Sequence, residues 1–95
     1  MYFITTIRFN NEGIDDQRTV GFFRSFKDAA LCVKLNRCDI FEDGYYQYAT
    51  ITQVDQGLYP CIETLLWYEF DKQNFKGKEI STPDNLVDFR PYIVG

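Results

Sequence analysis

Ser25-Phe26-Lys27-Asp28-Ala29-Ala30-Leu31-Cys32-Val33-Lys34-Leu35-Asn36-Arg37 is the stretch on which the fold turns. Ser25 is a favoured helix N-cap. Asp28, three residues on, resembles a capping box and complements the helix dipole. Phe26, Ala29, Ala30 and Val33 recur at three- and four-residue spacing and form one apolar stripe. Lys34 and Arg37 place positive charge in the last turns, and Asn36 is a helix-stop residue. The spacing predicts a helix over 26–37.

Both flanks of this helix have strand composition. Tyr2 to Phe9 is β-branched and aromatic, and Arg18 to Arg24 resumes the pattern. Between them Asn10-Asn11-Glu12-Gly13 and Ile14-Asp15-Asp16-Gln17 read as a polar hairpin tip of about eight residues. Gly21 inside the second strand suggests a bulge or a close backbone approach. After the helix, Cys38 to Gly44 is a connector with its own apolar pair, Ile40 and Phe41. Tyr45–Val54 is the third strand, Gly57-Leu58-Tyr59-Pro60 a turn with an aromatic plug, and Ile62–Asp71 the fourth strand. Lys72 to Lys78 is a polar turn around Gly77. The tail holds a short extended piece at Glu79-Ile80 and a turn at Thr82-Pro83-Asp84. Its apolar end, Phe89 to Val94, is suited to dock on the body. The order is β-β-α-β-β plus a tail: an α+β fold, one domain over 1–95, with an antiparallel sheet and one helix on one face.

One helix covers one face of such a sheet, so the other face needs a cover or a use. Alternation along the strands indicates which residues lie there. In the fourth strand Ile62, Thr64, Leu66, Tyr68 and Phe70 share one face, and Glu63, Leu65, Trp67, Glu69 and Asp71 the other. In the third, Ala49 and Ile51 suit the underside of a helix, opposite Tyr46 and Tyr48. The face away from the helix is expected to carry Tyr46, Tyr48, Trp67 and Tyr2, with Arg8 and acids at its edge. Three uses are open: a second small core under the tail, a homodimer interface, or a surface for a ligand or a foreign protein.

Composition narrows the chemistry. Nine Phe, seven Tyr and one Trp stand in a chain of 95 residues without histidine. There is no imidazole base or imidazole metal ligand, and the rings offer more stacking surface than one small core is expected to use. The net charge of -4 and the scattered basic residues argue against direct contact with nucleic acid. No apolar run approaches the roughly 20 residues of a membrane span, and the start reads as a strand and not a signal peptide, so a cytoplasmic protein is expected. Cys32, Cys38 and Cys61 have no CxxC spacing and are expected to be buried, reduced thiols. No nucleotide-loop, nucleophile-elbow, zinc-protease or EF-hand motif is present, and no cofactor, metal or catalytic residue is expected. Asp15 and Asp16 in the hairpin tip and Asp39, Glu42 and Asp43 in the connector are acidic clusters of the kind that is usually solvated. A small hydrolase using such carboxylates is the least favoured class. The connector reads first as a lock on the helix end.

Met1-Tyr2-Phe3-Ile4-Thr5-Thr6-Ile7, Gly21-Phe22-Phe23, Asn36-Arg37-Cys38-Asp39-Ile40-Phe41-Glu42, Tyr46 to Ile51, Gly57-Leu58-Tyr59-Pro60 and Trp67-Tyr68 resemble small uncharacterised proteins of Gram-positive bacteria and their prophages. The resemblance spans most of the chain and brings no established activity. It implies a phage or mobile-element setting, in which small acidic proteins often look like counter-defence factors. The expectation is therefore a non-enzymatic binding protein, homo-oligomeric, that takes a nucleotide signal or a host defence protein. An aromatic and basic set (Tyr2, Arg8, Arg18, Arg24, Tyr46, Tyr48, Trp67) would stack on a nucleotide and hold its phosphate. An acidic set (Asp39, Glu42, Asp43) would face a basic partner. The alternative is a structural or regulatory homodimer whose aromatic face is only an interface.

Overall fold

The computed structural model describes residues 1–56 and 62–86, without the side chains of Ile62 and Asn85. The turn expected at 57–60, Cys61 and the docking tail at 89–94 lie outside the described residues. Strands β1 (Tyr2–Asn10) and β2 (Gly13–Phe23) form a hairpin. Helix α1 (Phe26–Lys34) follows, then a one-turn helix at Arg37–Asp39, β3 (Tyr48–Val54), β4 (Ile62–Asp71), β5 (Lys76–Ile80) and a second one-turn helix at Asp84–Leu86. The strands make one five-stranded antiparallel sheet in the order β2-β1-β3-β4-β5. The expected β-β-α-β-β order holds, and β5 extends it at the edge. No described helix is long and apolar enough to cross a membrane.

The helix forms as its sequence indicates. The Asp28 amide donates to Ser25 Oγ at 3.3 Å, closing the N-terminus. Ala29, Ala30, Cys32 and Val33 are buried against Ile4, Ala49, Ile51 and Tyr68 of the sheet, with Phe26 half-buried beside them. Small side chains let the helix lie close. A Cβ on Gly77 of β5 would stand 2.5 Å from the Val33 carbonyl oxygen, so only glycine fits where the fifth strand passes under α1. The helix contains the whole apolar stripe but ends at Lys34, short of the expected 37, because Asn36 takes a left-handed conformation at φ 48.

Three expectations about the strands change. The hairpin tip is two residues long. Asn10 Oδ1 accepts the Glu12 amide, Gly13 supplies a φ of 123, and Asn10 pairs with Gly13. Asp15 and Asp16 therefore lie within β2, where Arg8 and two tyrosine hydroxyls meet their charge. The turn expected at Lys72–Lys78 is shorter, and Lys76–Ile80 pairs with Trp67–Asp71. A bulge at Leu65 breaks the alternation of β4, since Ile51 faces Leu66 but Thr52 faces Thr64. Leu66, Tyr68 and Phe70 stay on the helix side, while Thr64 moves to the side of Trp67. A bulge does occur next to Gly21, with Val20 the extra residue, but no atom closely approaches the glycine.

Tyr68 is fully buried and its hydroxyl has no hydrogen-bond partner among the described residues. Burial, with Glu79 adding to it, pushes its phenol up to about 12. Protonated Tyr68 thus favours the folded state, a contribution that is complete below the ordinary phenol pKa of about 10 and is lost as pH rises from there through about 12. Tyr68→Phe should leave stability at pH 7 equal or improved, because it removes an unpaired buried hydroxyl. It should also make the alkaline loss of stability shallower, as read by urea unfolding from pH 7 to pH 12. In the same assay Gly77→Ala should cost about 1–3 kcal/mol, the usual cost of overpacking.

Candidate functional site

The residues of the aromatic and basic set do not share a face. Tyr48 and Trp67 lie on the sheet side away from α1, their rings edge to face at 6.2 Å. With Ile7, Leu86, Phe9 and Ile80 they build a second apolar cluster. Trp67 is only 3% exposed, and Leu86 of the 84–86 turn belongs to the same cluster. The aromatic face is thus at least partly a small core, the first of the three uses. Its centre is polar: Thr50 and Thr52 are fully buried, and their hydroxyls and that of Thr64 have no hydrogen-bond partner among the described residues.

Tyr2 and Tyr46 correct the expectation. Tyr2 shares the side of Ile4, and its ring packs edge-on against Phe26 at 5.8 Å. Tyr46 precedes β3, which begins at Tyr48, so strand alternation does not reach it. It turns into the helix-side core. Arg8 is also on that side, because it shares its parity with Tyr2 and Ile4. Its guanidinium lies 4.5 Å from the centre of the Tyr45 ring, donates to the Tyr45 carbonyl at 2.9 Å and pairs with Asp15 at 3.2 Å. The Tyr45 and Tyr46 hydroxyls both donate to Asp16 Oδ2 at 3.3 Å. Lost hydration, then the Asp16 carboxylate, push both phenols above their ordinary value. Arg18 is exposed 3.6 Å from Glu42, and Arg24 is exposed beyond the other end of β2. Arg8 and Arg18 are thus matched to acids on the face opposite Tyr48 and Trp67, and the stacking and phosphate-holding roles are not brought together.

The acidic set is divided too. Asp39 Oδ1 accepts the Asp43 amide at 3.0 Å and an Asn36 side-chain N–H at 3.3 Å, so it organises the connector. Glu42 faces Arg18, and Asp43 is exposed. Ile40 and Phe41 are buried, as expected of a helix-end lock. Cys32 is buried, and burial raises its thiol pKa. Cys38, expected inside, is exposed, because the left-handed backbone at φ 55 carries it into the tight surface turn. No group of three or more metal-ligating side chains occurs among the described residues.

The topology gathers a different set. At one end of the sheet the β1–β2 turn, the connector leading into β3 and the β4–β5 turn converge. They enclose a groove of about 450 Å³ lined by Phe9, Asn10, Asn11, Gly44, Gln47, Tyr48, Glu69, Phe70 and Lys72. Phe9 and Tyr48 are half-buried and bring the aromatic surface. Gln47 is clamped, its Oε1 accepting the Phe9 amide at 2.8 Å. Gly44, at φ 88, lets the connector lie on Phe70, since a Cβ there would meet the ring at 3.0 Å. Of the expected residues only Tyr48 lines this groove. Asn10 and Asn11 read in the sequence as a strand break and Lys72 as a turn. Their one local signal is that each falls at a loop joining two strands.

Trp67 is the chain's single tryptophan, so the cover over the aromatic face can be tested directly. Leu86→Ala should shift its fluorescence maximum to the red and increase acrylamide quenching, with a stability loss of about 2 kcal/mol or more. An unchanged spectrum would mean that Leu86 does not shield the indole.

No family model matches the chain, and neither a curated protein nor a solved structure is found to match it.

Proposed function

We propose that this chain is a small, non-enzymatic binding protein that takes its ligand in the groove where the three loops meet. The carrying observation is that groove: two half-buried rings, amide side chains and one ion of each sign, assembled from three separate loops on a braced sheet. Its volume lies within the usual range for small-molecule sites, roughly 300–1,000 Å³. The non-enzymatic reading draws on the resolved pKa shifts. Tyr45, Tyr46, Tyr68 and Cys32 move up and Asp71 moves down, each away from neutral pH, the reverse of what acid–base catalysis uses. In the phage or mobile-element setting implied by the resemblance, the ligand would be a small signal of host immunity.

A second reading, self-association, is favoured by the β2 edge. Phe22 is 63% exposed there beside Phe3, at a ring separation of 5.7 Å, on the longest strand of the sheet. The opposite edge, β5, is short and carries Lys76 and Lys78, which discourage strand addition.

Native mass spectrometry of gently purified protein tests both readings. A non-covalent adduct of small-molecule mass should be present, and should vanish in the double variant Asn11→Ala, Lys72→Ala, whose exposed positions leave the circular dichroism spectrum and Tm unchanged. An adduct that survives the double variant would remove the groove from the proposal. A dimer mass that reverts to monomer in Phe22→Ser would support the β2 edge as an interface.

A further inference from the structure

We infer that the groove is built for a planar nitrogen heterocycle with hydrogen-bond acceptors on its edge, a nucleobase either free or within a nucleoside. The inference rests on the binding role proposed for the same groove. It begins with two amide side chains whose orientation is settled by their partners. Asn10 Oδ1 accepts the Glu12 amide at 2.8 Å, and Gln47 Oε1 accepts the Phe9 amide at 2.8 Å. A backbone N–H can only donate, so in each side chain the oxygen is the engaged atom and the NH2 is left to donate. Both residues line the groove, with Asn11 and Lys72 as further donors and Glu69 as an acceptor. The two lining amides whose orientation is set, Asn10 and Gln47, thus both present donors.

Beside these donors lie Phe9 and Tyr48. Tyr48 is braced by the edge-to-face contact with Trp67, and Phe9 packs against the same apolar cluster. Braced rings offer a flat apolar surface at little entropic cost, and stacking on an aromatic side chain is worth about 1–3 kcal/mol per base. Charge sets a limit on the ligand. Among the described lining residues Lys72 is the only cation, and Glu69 offsets it. Arg8 is committed to Asp15 and Tyr45, and Arg18 faces Glu42. A chain of phosphates finds no second cation in the groove, whereas a neutral ring bearing carbonyl or ring-nitrogen acceptors meets donors and stacking surface together.

The test is titration of 15N-labelled protein with adenine, adenosine and AMP, followed by two-dimensional NMR. Adenine and adenosine should shift the side-chain NH2 signals of Asn10 and Gln47 and the amides of Asn11 and Lys72, and AMP should bind no more than a few-fold tighter than adenosine. Asn10→Asp and Gln47→Glu each keep the oxygen that accepts the backbone N–H but remove the donor. Each should weaken adenosine binding at least tenfold while the remaining spectrum stays in place. Unchanged binding in both variants would overturn the assignment of the donors. AMP binding a hundredfold tighter than adenosine would overturn the neutral-ring inference. If none of the three probes shifts the groove but glucose or an amino-acid mixture does, the heterocycle falls and the groove stands. If nothing shifts it at millimolar concentration, both readings fall.

Discussion

Asn36 ties together the parts of the molecule that shape its loop end. Its left-handed backbone, at φ 48, stops α1 and turns the chain back toward the sheet. Its side-chain oxygen accepts the Phe41 amide at 3.2 Å, which seats Phe41 in the core. Its NH2 group donates to Asp39 at 3.3 Å and to the Phe75 carbonyl at 3.0 Å. One amide therefore joins the helix end, the connector and the β4–β5 turn. An aspartate would lose the two donated bonds, and glycine would keep the backbone but lose all three contacts. The positive-φ residues follow the same pattern. Asn36, Cys38, Asp39, Glu42 and Asp43 lie in this connector, and Phe75 lies in the turn that Asn36 holds. Such conformations persist only where the surroundings over-determine them.

The two faces of the sheet are stabilised differently. The helix side is an ordinary close-packed core, in which Ala29, Ala30 and Val33 allow a near approach and Gly77 makes room for it. The other side is a smaller cluster around Ile7, Trp67 and Leu86 with a threonine-rich centre. Thr5 and Thr19 share a hydrogen bond at 3.0 Å, while the hydroxyls of Thr50, Thr52 and Thr64 find no partner among the described residues. Each unpaired hydroxyl costs about 1–3 kcal/mol of desolvation. The helix-side core carries one such hydroxyl, that of Tyr68.

Charge is distributed with comparable local economy. The chain is acidic overall, yet three acids beside β1, β2 and the connector are matched: Asp15 with Arg8, Asp16 with two phenols, Glu42 with Arg18. These contacts are exposed or partly so, and each is worth little by itself. Their effect is on orientation. They hold β2 in register beside the connector and occupy the arginines that would otherwise be available to a phosphate.

The helix, its cap, its stop and the β-β-α-β-β succession of elements along the chain were legible in the sequence, because capping, apolar spacing and β-branched runs are local signals. Ser25, Asp28, the Ala29–Ala30–Val33 stripe and Asn36 all behave as their residue types dictate. The short hairpin was not legible, because acids in an edge strand resemble a loop until Arg8 and the tyrosines beside them are known. The face of Thr64 was not legible either, since a single bulge at Leu65 reverses alternation and depends on the partner strand. Of the expected binding residues, Tyr48 alone reaches the groove. The remaining lining residues come from the end of β1 and its turn, the connector, and the end of β4 and its turn, far apart in sequence. Sequence by itself determined the elements and their polarity. Only tertiary structure decided which loops share an end and which way each ring points, because register and strand order are set by long-range pairing that no local pattern encodes.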